Sequence, residues 1–197
     1  RNIIIYYPSF EKGGATINLI NFVNEVMKRN INVGLISNID SKKKKKFFSS
    51  GKVNVFRTSS LENFFLSKRL TSSISSILAL IKAIIKSNKN TIFLSFQSHF
   101  IPLILCTIFR KKIIIRNSED AIDATKYADN KFTAYLVLIL KILFYNITDQ
   151  IIAISKKSKL SLERLIFLKN KIKLIFNPYL KKIYNGKIKK KNKTFNI

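Results

Sequence analysis

The chain has 197 residues, enough for one well-buried domain with a short extension, and its 47% hydrophobic content excludes global disorder despite a formal net charge of +27. That charge invites an anionic partner, but Lys, Asn and Ile recur in every segment, whereas a dedicated nucleic-acid site would concentrate its charge on one element. One cysteine, Cys106, and one histidine, His99, exclude a disulfide within the chain, argue against a zinc site and fit a reducing, cytoplasmic setting.

Residues 2–7, NIIIYY, are short, apolar and β-branched, the pattern of a strand buried on both faces. A loop with adjacent glycines, Gly13 and Gly14, then leads directly into a helical pattern. Glycine is needed where φ is positive or where something approaches closer than a Cβ allows, and a tight turn or a ligand loop would each satisfy that need. From 15 to 29, Ile17, Ile20, Phe22, Val23, Val26 and Met27 fall at helical spacing, leaving Asn18, Asn21, Asn24 and Lys28 for solvent.

INVGLIS (31–37) reads as the next strand. SKKKKKFFSSGK reads as a solvated loop, because five like charges repel. VNVFR (53–57) is a third strand, and 61–88 is helical, in two pieces broken near TSSISS. TIFLSF (91–96) is a strand, FIPLILCTIF a short buried helix in which Cys106 serves as a small hydrophobe, and KIIIR (112–116) a strand. NSEDAIDATKYADN reads as a polar loop, with Asp120 and Asp123 as surface caps.

KFTAYLVLILKILFYNI (131–147) is a strongly apolar helix. Its apolar run falls short of the ~20 residues a bilayer core needs and contains Lys141, so a core or interfacial helix is predicted. Its basic surroundings make an anionic membrane surface a candidate partner, with a peripheral location at the inner face of the plasma membrane. QIIAIS (150–155) is a strand, KKSKLSLERLIFLK a helix and KIKLIF (171–176) a strand, which Asn177-Pro178 terminates. Residues 1–178 are therefore predicted as one domain and 179–197 as a basic linker or tail.

Strand and helix alternate throughout, which predicts a Rossmann-like, doubly wound α/β fold: a mostly parallel sheet with helices on both faces. Such sheets gather ligands at the carboxyl ends of their strands, where Gly13, Gly14, residues 95–99 and 116–119, Ser155 and Asn177 all fall. GGATIN has neither dinucleotide-binding nor Walker A spacing, and no nucleophile elbow is present. The glycine pair ahead of a helix N-terminus could turn bare N–H groups towards an anion. His99 could act as a general base or hydrogen-bond to substrate, or it could cap the next helix or sit half-buried beside Phe100. Arg116 could grip a phosphate or carboxylate. Ser155 reads first as a helix N-cap.

Taken in order, GGATINLINFVNEVMKRNINVGLIS, TIFLSFQSHF, IIIRNSED, ITDQIIAISKKSKLSL and KIKLIFNPY resemble the N-terminal domain of GT-B glycosyltransferases, in particular the family-4-like retaining group. The resemblance implies an acceptor-binding half of an enzyme that moves a sugar from a nucleotide-sugar donor to a glycan or lipid-linked acceptor in polysaccharide or glycoconjugate synthesis. The C-terminal donor-binding domain would be missing or supplied separately. It implies that Gly13 and Gly14 leave room for the donor diphosphate and the acceptor. His99, Arg116, Asn117, Glu119, Ser155 and Asn177 are the further site candidates on the same edge. The chemistry implied needs no metal and no cofactor, and no Asp-x-Asp motif is present. The second reading is a non-enzymatic basic module for nucleic acid or an anionic membrane. The absence of helix-turn-helix spacing and of a basic-aromatic strand motif counts against nucleic acid.

Overall fold

In the computed structural model the described residues are 2–11, 13–48, 53–57 and 68–177, with side chains of the third helix from 74 onward. Pro178, the tail at 179–197 and the helical pattern over 61–67 lie outside them. Seven strands among the described residues form one sheet: β1 (Asn2–Tyr6), β2 (Asn32–Ser37), β3 (Asn54–Arg57), β4 (Ile92–Ser95), β5 (Lys112–Asn117), β6 (Gln150–Ala153) and β7 (Ile172–Leu174). Every pairing is parallel, in the order β3-β2-β1-β4-β5-β6-β7. The helices are α1 (Gly14–Lys28), α2 (Ser41–Phe47), α3 (Lys68–Lys86), α4 (Phe100–Ile108), α5 (Ala121–Lys126), α6 (Lys131–Tyr145) and α7 (Lys156–Leu165).

Successive β1 side chains point to opposite faces, so Ile4 and Tyr6 enter one core while Ile5 and Tyr7 enter the other. Helix α1 covers the Ile5 face with Leu19, Val23 and Val26, beside Phe48 at the end of α2. The Ile4 face packs against α3, α4, the end of α6 and α7, through Leu80, Leu103, Tyr145 and Leu162. Both faces are thus closed by helices, as the doubly wound expectation requires. In β2, Gly34 is needed for packing: a Cβ there would stand 3.0 Å from Ile4 Cγ1 and 3.3 Å from Phe56.

Three expectations are corrected. The lysine run is a helix rather than a loop: Asp40 caps α2 by accepting from Lys43 N–H at 2.6 Å, and lysine is a good helix former once its charge stays in water. The polar stretch after β5 also contains a helix, α5, with the Asp120 carboxylate accepting from the N–H groups of Ile122 and Asp123, each at 3.0 Å. Helix α3 runs unbroken through TSSISS, where Ser75 and Ser76 are buried and Ser76 meets the Tyr6 hydroxyl at 2.9 Å.

Candidate functional site

The strand order reverses between β1 and β4, so the loops leaving these neighbours diverge and open a crevice at the carboxyl edge. The β1 loop is held from behind. Tyr7 N–H donates to Ile36 O at 3.0 Å, Asn38 N–H to Pro8 O at 3.1 Å and Phe10 N–H to Asn38 Oδ1 at 2.7 Å. The Thr16 hydroxyl donates to Glu11 O and accepts from the Tyr7 hydroxyl at 2.7 Å, tying the first turn of α1 to the loop.

Gly13 is the N-cap of α1, with φ of 167°, an extended backbone open to any residue, and Gly14 begins the helix. A Cβ on either glycine would meet nothing within 4 Å. Unlike Gly34, neither is required by the packing of this chain, and the space beside them is open. Helix α1 has no side-chain cap and no acidic residue in its first turn, so the positive end of its dipole is not neutralised there. Gly13 lines a cavity of about 250 Å3 with Phe10, Glu11, Thr16, Ile17 and Phe47.

At the end of β4, Phe96 N–H donates to Tyr6 O at 3.1 Å, and Ser98 takes a left-handed turn with φ of 49° into α4. The imidazole of His99 turns inward instead of capping α4. Its Nδ1 is 2.8 Å from Ser95 Oγ, and its ring meets Tyr145 edge-on at 6.2 Å. Ser95 Oγ donates to Gln97 O at 3.1 Å, so Nδ1–H donates to Ser95 and Nε2 is left as an acceptor. Burial pulls the His99 pKa down to about 3, and the positive charges of Lys141 and Arg116 pull the same way. The ring is neutral at physiological pH, suited to hydrogen bonding and poorly suited to holding a proton. The buried Tyr145 hydroxyl finds no hydrogen-bond partner among the described residues.

Arg116 and Asn117, adjacent at the end of β5, belong to different assemblies. The Arg116 guanidinium is buried, stacks 4.8 Å from the Phe96 ring centroid and donates to Asn177 Oδ1 at 2.6 Å. Arg116, Asn177 and Phe96, with Asn18, Asn21 and Phe22 of α1, line a second cavity of about 240 Å3. Asn117 is tied into the protein, its Nδ2 donating to Glu119 O at 2.6 Å and Ser158 Oγ at 3.0 Å. The Ser158 hydroxyl also donates to Glu119 O, at 3.0 Å. Ser155 is the N-cap of α7, accepting from Ser158 N–H at 3.0 Å, as its position predicts. The Glu119 carboxylate pairs with Lys141, whose side chain is buried under α6.

The predicted residues all lie at the carboxyl edge, but not in one pocket. Gly13 and the Arg116–Asn177 pair line separate cavities that share only α1 as a wall. Glu119 and Lys141 line a third opening of about 490 Å3 between α5 and α6. Sequence reading misses Asn18 and Asn21, which look like plain solvent-facing positions, and Phe96, which supports the guanidinium. Lys141 is visible as the lone charge in an apolar helix, but its partner is not. No three His, Cys, Asp or Glu side chains cluster among the described residues.

No protein-family model matches the chain, and no curated protein sequence matches it. Solved structures do. An Anabaena protein, HepE, solved with UDP-glucose, aligns over 90% of this chain and 44% of its own, at 15% identity and a TM-score of 0.60. A UGT transferase from Siraitia grosvenorii, solved with UDP, aligns over 83% of this chain and 48% of its own, at 7% identity and a TM-score of 0.54. The chain spans less than half the length of either protein, and at these identities what it shares with them is a fold. That fold is a Rossmann-like, all-parallel α/β sheet, as in one half of the GT-B fold.

Proposed function

We propose that this chain is the N-terminal, acceptor-side half of a glycosyltransferase, acting with a second, donor-binding half on a nucleotide sugar and a glycan or lipid-linked acceptor. The observation that supports this most is the glycine pair: neither backbone conformation nor packing calls for glycine at 13 or 14, yet the pair opens a 15-residue helix at the carboxyl edge of the sheet, beside a cavity that Gly13 lines. Access for something from outside is the remaining physical reason for two missing side chains. A diphosphate is the fitting guest, because uncapped N–H groups and the positive end of α1 favour negative charge.

In the transfer, the bond from the sugar's anomeric carbon to the diphosphate oxygen breaks, and that oxygen keeps the electron pair. The acceptor hydroxyl oxygen forms the new bond to carbon and gives up its proton. The part played by α1 is to hold the charge that accumulates on the departing diphosphate, an electrostatic contribution that needs no metal or cofactor. His99 stays neutral behind this edge, its Nδ1–H bonded to Ser95 Oγ and its ring against Tyr145, and so supports the loop after β4. Arg116, fixed by Phe96 and Asn177, gives the second cavity, across α1 from the glycines, a positive wall.

Thermal shift of the chain, joined to a donor-binding half, against a panel of nucleotide sugars and the corresponding free nucleotides tests the proposal. A rise in melting temperature with at least one nucleotide, reduced in Gly14→Ala, is the expected result. No shift with any nucleotide, or an equal shift in the variant, overturns the placement of the diphosphate at the glycines.

A further inference from the structure

Helix α6 is built inside out. Phe132, Tyr135, Leu136, Ile139 and Leu143, followed by Ile147 just past its end, recur at helical spacing along one side, and each is between 49% and 81% exposed. After Lys131 the helix contains one charged residue, Lys141, which points the opposite way, buried and paired with Glu119. Surface helices normally turn charges outward and apolar side chains inward. The six side chains expose on the order of 600 Å2 of apolar surface, at the top of what monomers usually show. Phe167, 84% exposed, adjoins this stripe, its N–H bonded to Asn146 Oδ1 at 2.9 Å.

Both ends of the stripe are basic. Lys126 and Lys131 stand at the start of α6, joined by a bond from Lys131 Nζ to Lys126 O. At the other end, Lys171 Nζ donates to Asn146 O at 3.0 Å and to Thr148 O at 2.8 Å, next to exposed Lys169. Of the nearby acids, Glu119 and Asp123 are paired with Lys141 and Lys157, leaving exposed Asp129 at the helix start and, at the far end, exposed Asp149, which accepts from Ile113 N–H, as the opposing charges.

From this arrangement we infer that α6 is a membrane-docking helix that lies flat on an anionic bilayer, with its apolar stripe among the upper acyl chains and its basic ends at the headgroups. A second copy of the chain is the poorer occupant, since it would bring one +27 surface against another. A lipid surface of opposite charge satisfies the stripe and the lysines together. No helix among the described residues is long and apolar enough to cross a membrane, so the contact is with one leaflet. The inference does not depend on the transferase reading, because vesicle binding needs no sugar.

The chain has no tryptophan, so Leu143→Trp supplies a single fluorescent reporter on the stripe and Ile17→Trp, in a separate variant, one on the exposed side of α1, across the sheet. With vesicles of mixed zwitterionic and anionic lipid, emission from the stripe reporter should shift to the blue and be quenched by lipids brominated on the acyl chain, while the α1 reporter stays unchanged. The double variant Ile139→Glu/Leu143→Glu should float with anionic vesicles at least tenfold less than wild type while melting at the same temperature. Equal response of the two reporters would mean diffuse electrostatic adhesion and overturn the inference. So would undiminished flotation of the double variant, absence of wild-type binding to anionic vesicles, or a vesicle-free dimer that the double variant abolishes.

Discussion

At Gly14 a methyl group has room, and the residue is already helical. Alanine there should raise stability by up to about 1 kcal/mol, through the smaller entropy the chain loses on folding. If the bare backbone serves a diphosphate, the same substitution should weaken nucleotide binding about tenfold, ~1.4 kcal/mol. Denaturant unfolding and calorimetric titration on one variant would show the two effects moving in opposite directions. His99 makes a pH prediction. Its folded pKa of about 3 lies below the ~6.5 of an unfolded histidine. Between those values the unfolded chain holds a proton that the folded chain refuses, so the stability from a neutral His99 is complete above ~6.5 and lost as pH falls towards 3. One titrating proton limits the slope to about 1.4 kcal/mol per pH unit, and the partial exposure of the residue reduces it below that limit. Urea unfolding at pH 7 and pH 5 should show wild type losing more stability than His99→Asn; equal losses would put the ring in solvent.

Helix α6 is fastened to the end of β5 by a lopsided ion pair, with the Lys141 side chain 7% exposed and that of Glu119 54%. Glu119→Gln would leave a buried ammonium without its counter-charge and should cost about 1–3 kcal/mol, less than the loss of a fully buried pair because water already reaches Glu119. Lys141→Met removes the charge itself and should be neutral or stabilising, which urea melts of the two variants would distinguish. Ser155→Ala should cost about 1 kcal/mol through the lost α7 cap. These short-range ties also mark where the sequence could be read and where it could not. Buried parallel strands appear as apolar runs, so β1, β4, β5 and β6 were legible, as was α1 from its 3.6-residue period. Helices α2 and α5 bury few apolar groups, and their start signals, Asp40 and Asp120, were outweighed by the polarity around them. Gly13 and Arg116 were correctly placed on one edge. That α1 stands between their cavities depends on how α1 packs across β1 and β4, which no local pattern encodes.

For the molecule as a whole, the +27 charge is spread over a sheet whose ends are short strands: β3 has four residues and β7 three. Short ends and like-charge repulsion both discourage edge-to-edge pairing between copies. The middle of the sheet carries a different burden. Ile3 pairs with Ile92, so the ladder that brings the two crevice loops together joins segments far apart in the chain. Such pairings form slowly, because a long loop must close before any contact repays it. On a ribosome adding ~5–20 residues per second, β1 waits several seconds for β4 to emerge, its Ile3-Ile4-Ile5 run meanwhile lacking its central neighbour. Nascent chains halted before residue 90 should accordingly be bound by chaperones and digested quickly by protease, whereas chains halted well after β4 has cleared the exit tunnel should resist.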